Sequence, residues 1–147
     1  SLQPFSLTAG STVEGLEVLM IPGSTLGLLN NYASGIEDHG VVAVTAISLS
    51  ATCSIAGGKV RLELVPTAKA LYVPNGQHAP DVRLQAMQAR GEPNAWIAGV
   101  PAGTGYELVF EGAGCRQVAL PVSQGGLTWQ HGLRVTRGLT VANVFVE

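Results

Sequence analysis

Turn-forming residues interrupt this chain at intervals of about 8–12 residues, and that punctuation limits what it can fold into more than any other feature. Nineteen glycines and eight prolines stand among 147 residues, a share about half again the usual one. Long helices have little room between Pro22-Gly23, Ala56-Gly57-Gly58, Pro74-Asn75-Gly76, Gly112 to Gly114 and Gln124-Gly125-Gly126. The intervening text is apolar and short, as strands are. A hydrophobic share of 46% against a charged share of 12% excludes intrinsic disorder, because there is ample apolar surface to bury. A net charge of −2 leaves no electrostatic footprint for nucleic acid or an anionic membrane. Uninterrupted apolar runs are only a few residues long, far below what a membrane span needs.

The strand text is clearest at Lys59 to Val65, where Val60, Leu62 and Leu64 alternate with Lys59, Arg61 and Glu63. Such alternation predicts one dry face and one wet face, as in an antiparallel sandwich. Further strands are expected over Val13 to Ile21, Val41 to Leu49, Ala70 to Val73, Ala95 to Ala98, Tyr106 to Glu111, Arg116 to Val122, Leu127 to Val135 and Leu139 to Val146. Between Ser24 and Gly35 a short helix over Thr25 to Ala33 and a long loop compete on equal terms. Asp81 to Arg90 carries both patterns. Asp81 suits a helix N-cap and Gly91 then Pro93 would stop a helix, yet Val82, Leu84 and Ala86 alternate with Arg83, Gln85 and Met87. The strand reading is taken here. The expected architecture is a single all-β, antiparallel β-sandwich unit over residues 1–147. The strand-then-proline form of Gly15 to Gly27 is echoed from Gly58 onward, so residues 1–56 are either extra strands or a diverged second copy.

Two cysteines occur, Cys53 and Cys115. Each lies just past an apolar strand. Two buried thiols in a cytosolic core are one reading; a disulfide in an exported protein is the other. Two lysines only, with abundant Ser, Thr and Gly in an all-β pattern, favour the disulfide. Closing a loop of roughly 63 residues would contribute about 4 kcal/mol on the chain-entropy model. No CxxC is present, so neither a redox nor a zinc motif is indicated.

From about Gly57 to Glu147 the text resembles the prealbumin-like (transthyretin-like) modules of bacterial surface proteins, the group with the carboxypeptidase regulatory-like and Cna-B-like domains. The matching residues are Gly58, Val60 and Leu62; Pro80, Val82 and Leu84; and Gly99 to Thr104 followed by Tyr106 and Leu108. The second of these groups is why Asp81 to Gln88 is read as a strand. In place of the family's usual hairpin before the Pro-Ala-Gly motif stands Ala89 to Trp96. The resemblance implies a prealbumin-like or Ig-like sandwich, with Pro101 and Gly103 setting a turn and the Tyr106 hydroxyl reaching a backbone partner.

Chemistry is sparse. Glu37-Asp38-His39 is the one dense polar cluster, but neighbours in sequence point apart and no second cluster at ligand spacing accompanies it. His78 and His131 follow or precede turns and read as surface histidines. No nucleophile elbow, phosphate loop, HExxH or dinucleotide fingerprint appears. No catalytic, metal-binding or cofactor-binding residues are therefore assigned, and no cofactor is expected. Trp129, in Leu-Thr-Trp-Gln-His-Gly, and Trp96 are the candidates for stacking on a ligand such as a sugar ring. The expected function is a non-catalytic structural or adhesion module of an exported bacterial protein. It would be extracellular, on the cell surface or periplasmic, with other protein domains or cell-surface components as partners. The alternative is a carbohydrate- or ligand-binding domain appended to a secreted enzyme.

Overall fold

The computed structural model describes residues 5–7 and 39–147, residue 113 excepted. The strand expected over Val13 to Ile21, the helix-or-loop segment after Ser24 and the pair Glu37-Asp38 lie outside the described residues.

The described chain is all β. Eleven strands follow in order: β1 (Phe5–Leu7), β2 (His39–Ser48), β3 (Lys59–Leu62), β4 (Lys69–Tyr72), β5 (Ala95–Pro101), β6 (Gly103–Tyr106), β7 (Leu108–Glu111), β8 (Val122–Gln124), β9 (Leu127–Trp129), β10 (Leu133–Val135) and β11 (Gly138–Val146). The largest sheet has the order β11-β2-β5-β4, and three small sheets pair β3 with β7, β10 with β6, and β1 with β9 and β8.

β2 and β11 read as near-continuous apolar runs, the pattern of strands covered on both faces. Alternation sends Val42, Val44 and Ala46 of β2 into the main apolar cluster, with Ala142, Val144 and Val146 of β11 and Ala95 and Ile97 of β5. β3, β7 and β10 close that face with Val60, Leu62, Leu108, Phe110, Leu133 and Val135. The opposite face gathers Val41, Ala43, Leu71, Val73 and Trp96.

One glycine keeps this sheet in phase. Gly40 of β2 opposes Val100, while Val41 opposes Ala98, so Gly99 is an extra residue in β5. Its φ of 76° lies in the left-handed region that glycine fills without strain. This bulge returns Val100 to the face already occupied by Ala95 and Ile97.

The architecture departs from the expected one in four places. First, β11 runs parallel to β2, from Gly138 beside Gly40 to Val146 beside Ser48. The remaining strand pairs are antiparallel. No hairpin links these two strands, so no turn dictates their relative direction. Second, Asp81 to Arg90 is neither strand nor helix but a chain of turns. The Asp81 carboxylate accepts the Arg83 N–H at 2.9 Å, and the Leu84 N–H bonds back to the Asp81 carbonyl at 3.0 Å. This local bonding competes successfully with a ladder. Met87 is buried and Val82 is exposed, the reverse of the alternation expected.

Third, the strand from Lys59 stops at Leu62, and Leu64 is 92% exposed. Fourth, three expected strands are subdivided or reduced. The chain changes partner at Glu107, so that β6 pairs with β10 and β7 with β3. Leu127 to Val135 divides into β9 and β10, and Arg116 to Val122 is reduced to a bridge between Gln117 and Val146 ahead of β8. The turn at Gln124-Gly125-Gly126 is formed as expected. Gly125 and Gly126 have φ of 59° and 80°, the two positive values that a tight hairpin between β8 and β9 requires.

Candidate functional site

The described residues hold an open groove of about 360 Å³ where β7, β10 and the outer edge of β11 diverge. Its floor is apolar, formed by Leu108, Leu133, Val144 and Phe145, and its rim carries Glu63, Glu107 and His131.

Two side chains shape it. Gln117 does the work of a missing strand along the outer edge of β7. Its Oε1 accepts the Phe110 N–H at 2.7 Å, and its Nε2 donates to the Leu108 carbonyl at 2.8 Å. The flanking backbone ties onto β11, with the Val118 N–H on the Phe145 carbonyl at 2.8 Å and Arg116 paired to Glu147 in both directions. Residues 116–118 thereby join β7 to β11 and wall off one side of the groove. Glu107 holds another side. Its Oε1 accepts the Gly132 N–H at 3.1 Å and lies 3.5 Å from the His131 ring nitrogen, while its carbonyl accepts the Glu63 N–H at 3.0 Å.

The expected disulfide is present. Cys53 and Cys115 are bonded, with Cα atoms 5.3 Å apart, well inside the range such a bridge needs. β2 and β7 belong to different sheets, so the bridge clamps the segment after one sheet to the segment after the other. Both cysteines also pack against the main apolar cluster.

The two tryptophans are not side by side on a surface. Trp96 is 1% exposed, and its indole N–H donates to the His78 carbonyl at 3.0 Å. A core ring cannot stack on a ligand, so Trp96 leaves the list of stacking candidates. Trp129 is half-buried and tilted 45° against Phe145, with centroids 6.2 Å apart, a favourable aromatic packing geometry. The Tyr106 hydroxyl donates to the Pro101 carbonyl at 2.8 Å, the backbone anchorage expected of it.

The histidines are scattered. His39 opens β2 opposite Pro101, His78 places Nδ1 2.6 Å from the Glu92 carbonyl, and His131 faces Glu107. Among the described residues no three His, Cys, Asp or Glu side chains gather as metal ligands. Away from the groove, the Arg83 guanidinium holds the Asp81 carboxyl down at about 2. Burial pushes the Tyr72 hydroxyl above the ordinary phenol value, while its oxygen accepts the Val60 N–H.

Two polar residues that organise the fold, one at the groove and one away from it, carry no sequence signature. Gln117 is one. Asn94, 3% exposed, is the other. Its Oδ1 accepts the Ala46 N–H at 2.7 Å, and its Nδ2 donates to the carbonyls of Gly91 at 2.9 Å and Gln88 at 3.3 Å. It sits in the stretch where the text departs from the family pattern, between Ala89 and Trp96. An asparagine in a turn-rich segment looks like any other turn residue until its burial is known.

Compared with known protein families, curated proteins and solved structures, the chain matches none.

Proposed function

We propose that the protein is a non-catalytic structural or adhesion module of an exported protein. In this reading it is a prealbumin-like β-sandwich that works outside the reducing cytosol, extracellularly, on a cell surface or in the periplasm. The observation that carries the proposal is how its aromatic and thiol chemistry is used. Trp96, Tyr72, Phe110 and Phe145 are committed to packing, Trp129 leans on Phe145, and both cysteines are committed to one bridge. Coplanar exposed rings, the usual equipment for stacking on sugars, are lacking among the described residues. A disulfide between separate sheets suits a domain that must persist in an oxidising compartment. The family resemblance supports the same reading through Gly58 just before β3, Val60 and Leu62 within it, and the turn between Pro101 and Gly103 that leads to Tyr106, although its Pro80–Leu84 strand is not formed.

The test is a titration of the oxidised protein with cello-, xylo-, manno- and chito-oligosaccharides, followed by tryptophan fluorescence and calorimetry. No saturable signal is expected. Saturable quenching that disappears in Trp129→Ala would overturn the proposal in favour of a carbohydrate-binding domain.

A further inference from the structure

The turn after β3 contains a leucine that the fold does not use. Leu64 has φ of 65°, a left-handed conformation that a side chain of this kind adopts rarely. Glycine or asparagine would fill such a turn with less strain. Leu64 is also 92% exposed, while its neighbours in the alternating text, Val60 and Leu62, are buried. A large apolar group held out in water by a disfavoured backbone conformation points to a use beyond folding.

The residue before it, Glu63, lines the groove between β7, β10 and β11. Leu64, the next residue in the chain though not itself a lining residue, stands beside an apolar trough whose charged side chains are Glu63, Glu107 and His131, with no Lys or Arg among the lining residues. Glu107 is engaged by Gly132 and His131. The Glu63 carboxylate makes no ion pair among the described residues. Taking a positive side chain to this rim and an apolar one to the floor satisfies both chemistries together.

We propose that this groove, with the neighbouring exposed Leu64, binds an extended segment of a partner protein that presents a cationic side chain next to an apolar one. Leu64 is the apolar anchor outside the groove, Glu63 pairs the cation, and the floor formed by Leu108, Leu133 and Val144 receives the apolar side chain. The assignment gives the proposed non-catalytic module its interaction face and rests on that reading.

The experiment is a titration of isotope-labelled, oxidised protein with an alternating Lys-Leu hexapeptide, read by amide chemical shifts. Controls are the same peptide with Glu in place of Lys, and with Ser in place of Leu. Saturable shifts confined to the groove and the Glu63-Leu64 turn are expected with the first peptide alone. Leu64→Asn keeps a residue suited to positive φ, so it is expected to weaken binding about tenfold while leaving the melting temperature unchanged or raising it. Glu63→Gln is expected to weaken binding and flatten its dependence on salt. Absent shifts, shifts elsewhere, equal response to the Glu peptide, or unaltered binding by Leu64→Asn would each overturn the proposal. Cleavage of the bound peptide, seen by mass spectrometry, would instead overturn the non-catalytic reading.

Discussion

Replacing Asn94 by alanine removes one side chain and strands three backbone groups. The amide of Asn94 joins β2, through Ala46, to the turns at Gln88 and Gly91; the bonds to Ala46 and Gly91 are buried and the one to Gln88 is partly so. A buried N–H left without an acceptor costs about 1–3 kcal/mol, and each carbonyl deprived of its donor adds about 1 kcal/mol. The expected total is about 4 kcal/mol, a large part of the ~5–15 kcal/mol that holds an ordinary domain together. For a chain of this size the melting temperature should fall by about 10 °C. Asn94→Asp separates the polar argument from simple loss of volume. The new carboxyl has the right size and still offers an oxygen to the Ala46 N–H, but only its protonated form can donate to a carbonyl. Burial and the two facing carbonyls raise its folded pKa above the unfolded value near 3.9. The folded variant then binds more protons than the unfolded chain. Its deficit relative to wild type should be smallest at and below about pH 4 and should grow as pH rises through the raised pKa. Thermal melts followed by circular dichroism between pH 4 and 8 read both effects. An alanine variant within 2 °C of wild type, or an aspartate variant whose pH profile parallels wild type, would refute the reasoning.

Leu62→Asp places an unpaired carboxylate in the main cluster, where Leu62 is fully buried, and should cost several kcal/mol; a melt within a degree or two of wild type would contradict the face assignment of β3. Alkylation under denaturing, non-reducing conditions should add no groups to the cysteines. After reduction it should add two, and the reduced protein should be less stable by about 4 kcal/mol in denaturant titrations. The Asp81 carboxyl, held down at about 2 by Arg83, favours the native state at pH values above the ordinary carboxylate range, and that contribution disappears as pH falls through about 2. In Arg83→Ala, carbon-detected NMR titration should show the Asp81 midpoint rising toward the usual carboxylate range, with the residue-83 N–H still holding part of the shift; an unmoved midpoint would mean that the guanidinium does not hold it down.

Legibility in the text tracked how far each physical cause reaches along the chain. Strand existence is a local matter of alternation and turn residues, so β2, β5, β11 and the β8–β9 hairpin stand near their expected places. The disulfide followed from two cysteines placed just past strands. Strand direction is not local. Nothing in Gly138 to Val146 announces that it will lie parallel to β2. The Asp81 segment misled for the opposite reason, because its alternation was genuine while a side chain two residues from its partner captured the backbone first. Leu64 fits the alternation of β3 perfectly and is outside it: the Glu63 N–H still bonds the Glu107 carbonyl in the β3–β7 register, and the chain turns at Leu64, whose φ is 65°. The groove was invisible because its architects, Gln117 and Glu107, act through hydrogen bonds to distant backbone that no spacing encodes.

The pairing of β2 with β11 also sets a timetable. Gly40 waits for Gly138, so one long edge of the β2–β5 pair stays unsatisfied until nearly all of the described chain has been made. Contacts this remote slow folding, and an open apolar edge invites pairing with a neighbouring molecule in the meantime. The last nine-residue strand is therefore less an ornament of the sheet than its closing bolt. A chain truncated before Gly138 should expose the β2 amides to rapid hydrogen exchange and self-associate, and slow exchange there would show that the sheet closes without it.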